Sequence, residues 1–212
     1  MSTHCCEAPS PRPDARYRKV LWIALAVNAA MFLVEIAASA ASGSAALAAD
    51  AVDFAGDAAN YALSLAAVAA GGLWASRAAL AKGLTMGAYG MGVLVFAAWR
   101  LWLGVPPEPI TMGVVGTLAL ATNLGVAWLL YAYRNGDANM RSVWLCTRND
   151  AISNLAVLAA AAGVFATSSA WPDVAVAGIM AMLALSSAHS VVAHALGELR
   201  IDAARAAGTR TS

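Results

Sequence analysis

Charged side chains are scarce in this chain, and they make up 12% of its 212 residues. A soluble domain carries about 25%, so this chain has too few charges to cover a globule with polar surface. The formal net charge of +1 provides no basic surface for phosphates, so we expect no nucleic-acid partner. The mean hydropathy of +0.67 predicts an integral membrane protein instead.

Cysteine is also scarce, with Cys5 and Cys6 adjacent and Cys146 far along the chain. Adjacent cysteines rarely bridge each other and three cannot form a disulfide framework, which argues against a stapled secreted fold. No signal peptide is evident, because the first apolar run is too long for one. His4 with the two adjacent cysteines is open to two interpretations, a metal-capturing tail or a disordered, proline-rich leader.

Long apolar stretches dominate the rest of the chain. A bilayer core needs about 20 mostly apolar residues per helix, and turn-forming residues separate the stretches that meet this length. Six qualify, at residues 19–41, 45–70, 81–103, 110–133, 142–166 and 173–196. We therefore predict an all-α integral membrane protein with six transmembrane helices in a domain at 19–197. A disordered cytoplasmic tail at 1–18 precedes it, and a short cytoplasmic tail at 198–212 follows it.

The basic residues predict the orientation, because Lys and Arg concentrate on the cytoplasmic side of a membrane. With the N-terminus inside, all of the 13 Lys and Arg except Arg100 and Arg148 fall in cytoplasmic segments or, as Lys19 and Lys82 do, at the cytoplasmic ends of spans. We expect an N-in, C-in topology and, in a bacterial-type cell, a multi-pass protein of the inner (plasma) membrane.

Five acidic residues lie in the interior of the predicted spans, whereas Asp173 is the first residue of the sixth span: the five are Glu35, Asp50, Asp53, Asp57 and Asp150. A charge at the bilayer centre costs roughly 2.5–3.5 kcal/mol and usually faces a bundle interior or an aqueous cavity. Asp53 and Asp57 are four residues apart, so they share one helical face. Such a pair persists most readily if a cation or a shared proton compensates the charge.

The fifth span repeats this spacing with Cys146 and Asp150. The two pairs approach the membrane centre from opposite sides, so two antiparallel helices would bring them together. Three carboxylates and a thiolate suit a tetrahedral divalent ion such as Zn²⁺. The spacing thus predicts a metal site formed by Asp53, Asp57, Cys146 and Asp150.

Several segments resemble one transporter family. "SGSAALAADAVDFAGDAANYALSL" resembles the second helix of the cation diffusion facilitators, in which a Ser-Gly-Ser opening leads to a His/Asp-x-x-x-Asp metal pair. "NAAMFLVEIAASAASGS" resembles the helix before it, and "CTRNDAISNLAVLAA" resembles the fifth helix. The segment from Asn123 to Leu130 resembles the fourth. The resemblance covers about residues 18 to 197.

The resemblance implies that Asp53, Asp57 and Asp150 are metal ligands. Position 146 is usually His in the family, and a thiolate there would favour softer ions such as Zn²⁺ or Cd²⁺. The alternative is that Cys146 is an inert buried thiol, which would leave a three-carboxylate site with a less clear preference. The family's C-terminal cytoplasmic domain is missing, so a short form is expected, with a homodimer formed through the membrane part. The other polar residues implied near the site, as supporting or proton-handling groups, are Asp50, Asn149, Asn154 and Glu35; Asn149 could replace Cys146 as a ligand.

The expected function is efflux of a divalent transition metal, Zn²⁺ first and Cd²⁺ or Co²⁺ as further candidates, by metal/proton antiport with alternating access. The partners are then metal ions, protons and membrane lipids, without a permanently bound cofactor. The alternative is a proton or monovalent-cation pathway in which the carboxylates act as relays. We do not expect an enzyme, because Ser153 is the only obvious nucleophile near the acids. A structural scaffold would leave the five acids unexplained.

Overall fold

The computed structural model describes residues 15–67, 72–133 and 138–208. At 67, 72–75, 138–146, 148, 149 and 202–208 it describes the backbone alone. The predictions for His4, Cys5 and Cys6 therefore lie outside the described residues.

The described chain is helical, and no strand occurs in it. The helices are α1 (Ala15–Ser42), α2 (Ala45–Ala67), α3 (Gly72–Leu103), α4 (Pro109–Leu130), α5 (Ala138–Thr167) and α6 (Trp171–Gly208), with a 3₁₀ turn at Tyr131–Tyr133. This confirms the all-α prediction.

Within the part of the chain that the structure describes, five segments are long and apolar enough to cross a membrane: Ala15–Ser42, Ser76–Leu103, Pro109–Tyr133, Asp150–Thr167 and Trp171–Ile201. Helix α2 has 23 residues, a sufficient length, but it carries three aspartates that reduce its hydropathy. The count of six transmembrane helices and the N-in, C-in orientation remain predictions.

Two helices extend well beyond the apolar stretches that predicted them. Helix α3 begins at Gly72, ahead of residue 81, and α6 continues to Gly208, past residue 196. Hydropathy detects the apolar part of a helix, whereas Ala-rich sequence of high helix propensity continues the helix beyond it.

The helices pack as a bundle of four with a pair beside it. Helices α1, α2, α4 and α5 contact one another, and α3 packs mainly on α6. The α3–α6 pair meets the bundle through α2 and α5. The outer surface is strongly apolar, with Trp102 87% and Trp128 76% exposed, as expected for residues in contact with lipid.

Small residues bring the helices close together. A Cβ on Gly83 would lie 2.8 Å from Val192 Cγ2, and one on Gly90 would lie 3.3 Å from Leu185 Cγ. These contacts join α3 to α6. Glycine permits such close backbone approach between membrane helices, which accounts for the abundance of small residues in the sequence.

Two apolar clusters lie on either side of the acidic part of α2. One cluster contains the start of α2, from Ala45 to Val52, with residues of α4, α5 and α6. The other contains Tyr61 with Tyr17, Leu21 and residues of α4. The stretch from residue 53 to 60 therefore lies between two packed regions.

Candidate functional site

A cavity of about 470 Å³ lies between α2, α3, α5 and α6. Its charged lining residues are Asp53, Asp57, Asp150 and Lys82. Its other lining residues are Gly56, Asn60, Met86, Ser153, Met180, Leu183, Ala184, Ser187 and Val191. The structure thus places three of the acids singled out by sequence around one space.

The contacts between α2 and α5 show how this arrangement arises. The Tyr61 hydroxyl donates to Asp57 Oδ2 at 3.2 Å, and it lies 2.7 Å from Thr147 Oγ1. One turn along each helix, the carboxyl groups of Asp57 and Asp150 lie within hydrogen-bonding reach of each other. The two helices therefore run antiparallel, with their acids at the same depth.

The acids in the cavity have few hydrogen-bond donors. Asp57 is buried, and one carboxylate oxygen of Asp150 has no hydrogen-bond partner among the residues that the structure describes. Buried polar groups are normally satisfied, and adjacent carboxylates disfavour simultaneous ionisation. The arrangement can therefore attract a cation or share a proton.

The proposed ligand set is only partly described. Positions 146 and 149 lie within α5, but the side chains of Cys146 and Asn149 fall outside the described residues. Among the side chains that are described, no three His, Cys, Asp or Glu are arranged to hold a metal ion. The four-ligand site remains a prediction.

The remaining acids of the prediction, Glu35 and Asp50, form a separate group. Both are fully buried, and their carboxyl groups face each other between α1 and α2. Neither Glu35 oxygen, nor Asp50 Oδ2, has a hydrogen-bond partner among the described residues. Asn154 is also buried, and neither its Nδ2 nor its Oδ1 has a hydrogen-bond partner within the described ranges. These three residues do not line the cavity.

The cavity and its acids lie in a part of the chain that matches a known protein family. The family model for the cation efflux transmembrane domain matches residues 21–199. The chain belongs to the cation efflux family. It is therefore a multi-pass membrane protein that transports cations, and the match includes every residue lining the cavity. No curated protein matches the chain.

Sequence reasoning missed Lys82 in this cation efflux protein. Lys82 was placed at the cytoplasmic edge of the third span, but its side chain lines the cavity and donates to Asn60 Oδ1. Its position at the end of a span, level with the acids of a neighbouring antiparallel helix, is the signal that could have indicated it.

Asp173 was missed as well, and it serves the cation efflux fold in a different way. It accepts from Ser44 Oγ at 2.6 Å, Ala45 N at 2.8 Å and Ala46 N at 3.0 Å. A carboxylate is favourable at a helix N-terminus, so Asp173 at the start of α6 stabilises the start of α2, together with Ser44, whose Oγ accepts from Leu47 N at 3.1 Å. In the predicted topology the spans that begin at residues 45 and 173 both start on the outer side of the membrane, and this is the signal that could have indicated the contact.

Proposed function

We propose that this protein exports a divalent transition metal from the cytoplasm in exchange for protons, with the cavity between α2, α3, α5 and α6 as the cargo site. Zn²⁺ is the first candidate, and Cd²⁺ or Co²⁺ are the others. The observation that carries the proposal is the convergence of Asp53, Asp57 and Asp150 from two helices on one cavity.

Charge supports a divalent cargo. Three ionised carboxylates and one ammonium group leave two negative charges in the cavity, which is the charge that one divalent cation neutralises. Charges buried without compensation are costly, so the empty cavity favours the uptake of either a divalent ion or protons. This competition gives the exchange of metal for protons a physical basis.

The placement of the acids on separate helices supports transport. Asp53 and Asp57 belong to α2 and Asp150 belongs to α5, so a small relative movement of these helices assembles or separates the carboxylates. A cargo site must release its ion in every cycle, unlike a structural metal site. A thiolate at Cys146 would add a soft ligand and favour Zn²⁺ or Cd²⁺ over harder ions.

The remaining parts of the proposal concern the setting of the protein. We infer six transmembrane helices, with α2 as the sixth despite its acids, both termini in the cytoplasm, and a homodimer in the plasma membrane. The distribution of Lys and Arg supports this orientation. The strongly exposed apolar side chains of the outer surface are suited to lipid or to a second copy of the chain.

The test is Zn²⁺ uptake into proteoliposomes that contain a pH-sensitive dye. We expect the wild-type protein to move Zn²⁺ one way and protons the other. We expect Asp57→Asn to reduce metal flux about 100-fold or more, because the loss of one charge at short range weakens the attraction for the ion by several kcal/mol. Glu108→Gln is the matched control, because it makes the same chemical change on an exposed side chain outside the cavity. Full flux with Asp57→Asn would refute the site.

The second candidate function is a proton or monovalent-cation pathway. The proximity of Asp57 and Asp150 favours it, because adjacent carboxyl groups can share and pass on a proton. Isothermal titration with Zn²⁺ separates the two functions. Saturable binding that weakens as pH falls supports metal export, whereas a proton leak without Zn²⁺ binding supports the relay.

A further inference from the structure

Lys82 is a cation inside a cavity that we propose to receive cations. Contacts of α3 with α2 hold the backbone of Lys82 beside the cavity. Met86, one turn along α3, packs against α2 so closely that its Cε lies 2.9 Å from where a Cβ on Gly56 would be. Asn60, one turn along α2 from Gly56, accepts the hydrogen bond from Lys82. Because α2 and α3 are antiparallel, these two contacts place Lys82 at the wall of the cavity.

The Lys82 ammonium group shares the cavity with the three carboxylates, and its charge acts favourably on Asp57. Lysine carries a compact charge on a flexible four-carbon chain, so the ammonium group can shift within the cavity without a change in the backbone. A divalent ion and this ammonium group attract the same carboxylates and repel each other.

Lys82 also belongs to a different part of the structure from the acids. Gly83, next to it, packs against Val192 of α6, so the backbone of Lys82 belongs to the α3–α6 pair. Asp57 and Asp150 belong to the four-helix bundle. A shift of the pair against the bundle changes the distance between the ammonium group and the carboxylates.

We propose that Lys82 is a built-in counter-cation that competes with the metal for the carboxylates of the cavity, and thereby lowers metal affinity and promotes metal release. The inference rests on the proposed function and assigns a role to a residue outside the predicted ligand set. In the empty cavity the ammonium group compensates part of the negative charge. When the metal enters, the ammonium group moves away from the carboxylates. When the ammonium group returns to them, it weakens metal binding and promotes release of the metal.

The experiment compares Lys82→Met, Lys82→Gln and Lys82→Arg with the wild-type protein. Zn²⁺ binding is measured by isothermal titration in detergent, and KM and kcat are measured in proteoliposomes. Loss of the charge should lower the Kd and the KM for Zn²⁺ by about tenfold or more, because repulsion at short range in a protein is worth at least this much. It should also lower kcat. Lys82→Arg should stay within about threefold of wild type.

A residue that only stabilised the fold would not give tighter binding when it is replaced, so a lower Kd together with a lower kcat supports the proposal. An unchanged or higher Kd in both neutral variants overturns it, and the use of two variants guards against one that fails to fold. If the wild-type protein itself neither binds nor transports Zn²⁺, the proposed function fails instead, so the two failures are distinguishable.

Discussion

The buried carboxylate of Asp173 and the buried carboxylates of the cavity differ in their surroundings. Asp173 is 1% exposed and Asp57 is 7% exposed, so burial does not distinguish them. Asp173 accepts three hydrogen bonds from the start of α2, whereas Asp57 has Tyr61 and Asn60 of its own helix as donors and lies beside a second carboxyl group, Asp150. Because a buried charge needs partners to be stable, the first arrangement stabilises the fold and the second leaves charge for a ligand.

The largest stability effect should come from Asp173→Ala. The change leaves the Ser44 hydroxyl and the N–H groups of Ala45 and Ala46 without their acceptor, although Ser44 Oγ still accepts from Leu47 N. We expect the free energy of unfolding to fall by about 2–4 kcal/mol, measured by denaturation in detergent. Ser169→Ala is the matched control near the start of α6, since its hydroxyl accepts only a 3.3 Å bond from Trp171 N.

The comparison is sharpest if Asp150→Asn is measured beside it. This variant removes one of two adjacent like charges, so we expect stability equal to or above that of the wild type, although transport is lost. A large loss of stability in Asp150→Asn would contradict the distinction between Asp173 and the acids of the cavity. So would a folded Asp173→Ala protein that has lost Zn²⁺ binding.

The turn between α1 and α2, next to Ser44, allows a second test of what stabilises this end of the molecule. Gly43 has a φ of 73°, and a Cβ there would clash with the guanidinium group of Arg100. Gly43→Ala should therefore combine a left-handed backbone cost of about 1–2 kcal/mol with displacement of Arg100. Gly104→Ala is the matched control, because its φ is 65° and a Cβ there would meet no atom within 4 Å.

Unfolding free energies of the two glycine variants decide whether the contact with Arg100 matters. We expect the Gly43 variant to be slightly less stable than the Gly104 variant, because the guanidinium end of Arg100 must shift and Arg100 Nη2 donates to Val105 O at 3.1 Å. If the two lose the same amount, Arg100 moves aside at no cost, and the contact does not help to hold this end together.

Sequence periodicity could predict much of this molecule and not all of it. The apolar runs predicted the helices, and the four-residue spacing placed Asp53 and Asp57 on one face, near Asp150 of another helix. Lys82 and Asp173 could not be assigned in this way. Their partners, Asn60 and the start of α2, are on other helices, and such contacts depend on how each helix is rotated and which helices are neighbours. Spacing along one helix does not contain this information.

The smallest effect should come from an exposed carboxylate, Glu108, which caps α4. It accepts from Ile110 N at 2.9 Å and from Thr111 N at 2.6 Å. The side-chain hydrogen bond with Thr111, followed by these backbone bonds, lowers the pKa of Glu108 below its ordinary value of 4.5. A carboxyl group with a lowered pKa stabilises the fold when it is ionised, so its contribution is complete above pH 4.5 and is lost as pH falls through the lowered pKa.

Glu108→Gln tests this contribution, since glutamine keeps an acceptor oxygen but not the charge that favours a helix N-terminus. We expect a slightly lower Tm than that of the wild type at pH 7, and we expect the difference to disappear in acid, where wild-type Glu108 is also neutral. Thermal unfolding of both proteins across this range measures the difference directly, because the other titrating groups are common to both. A difference that persists or grows in acid would mean that glutamine disturbs the cap by its shape, and that the charge of Glu108 contributes nothing.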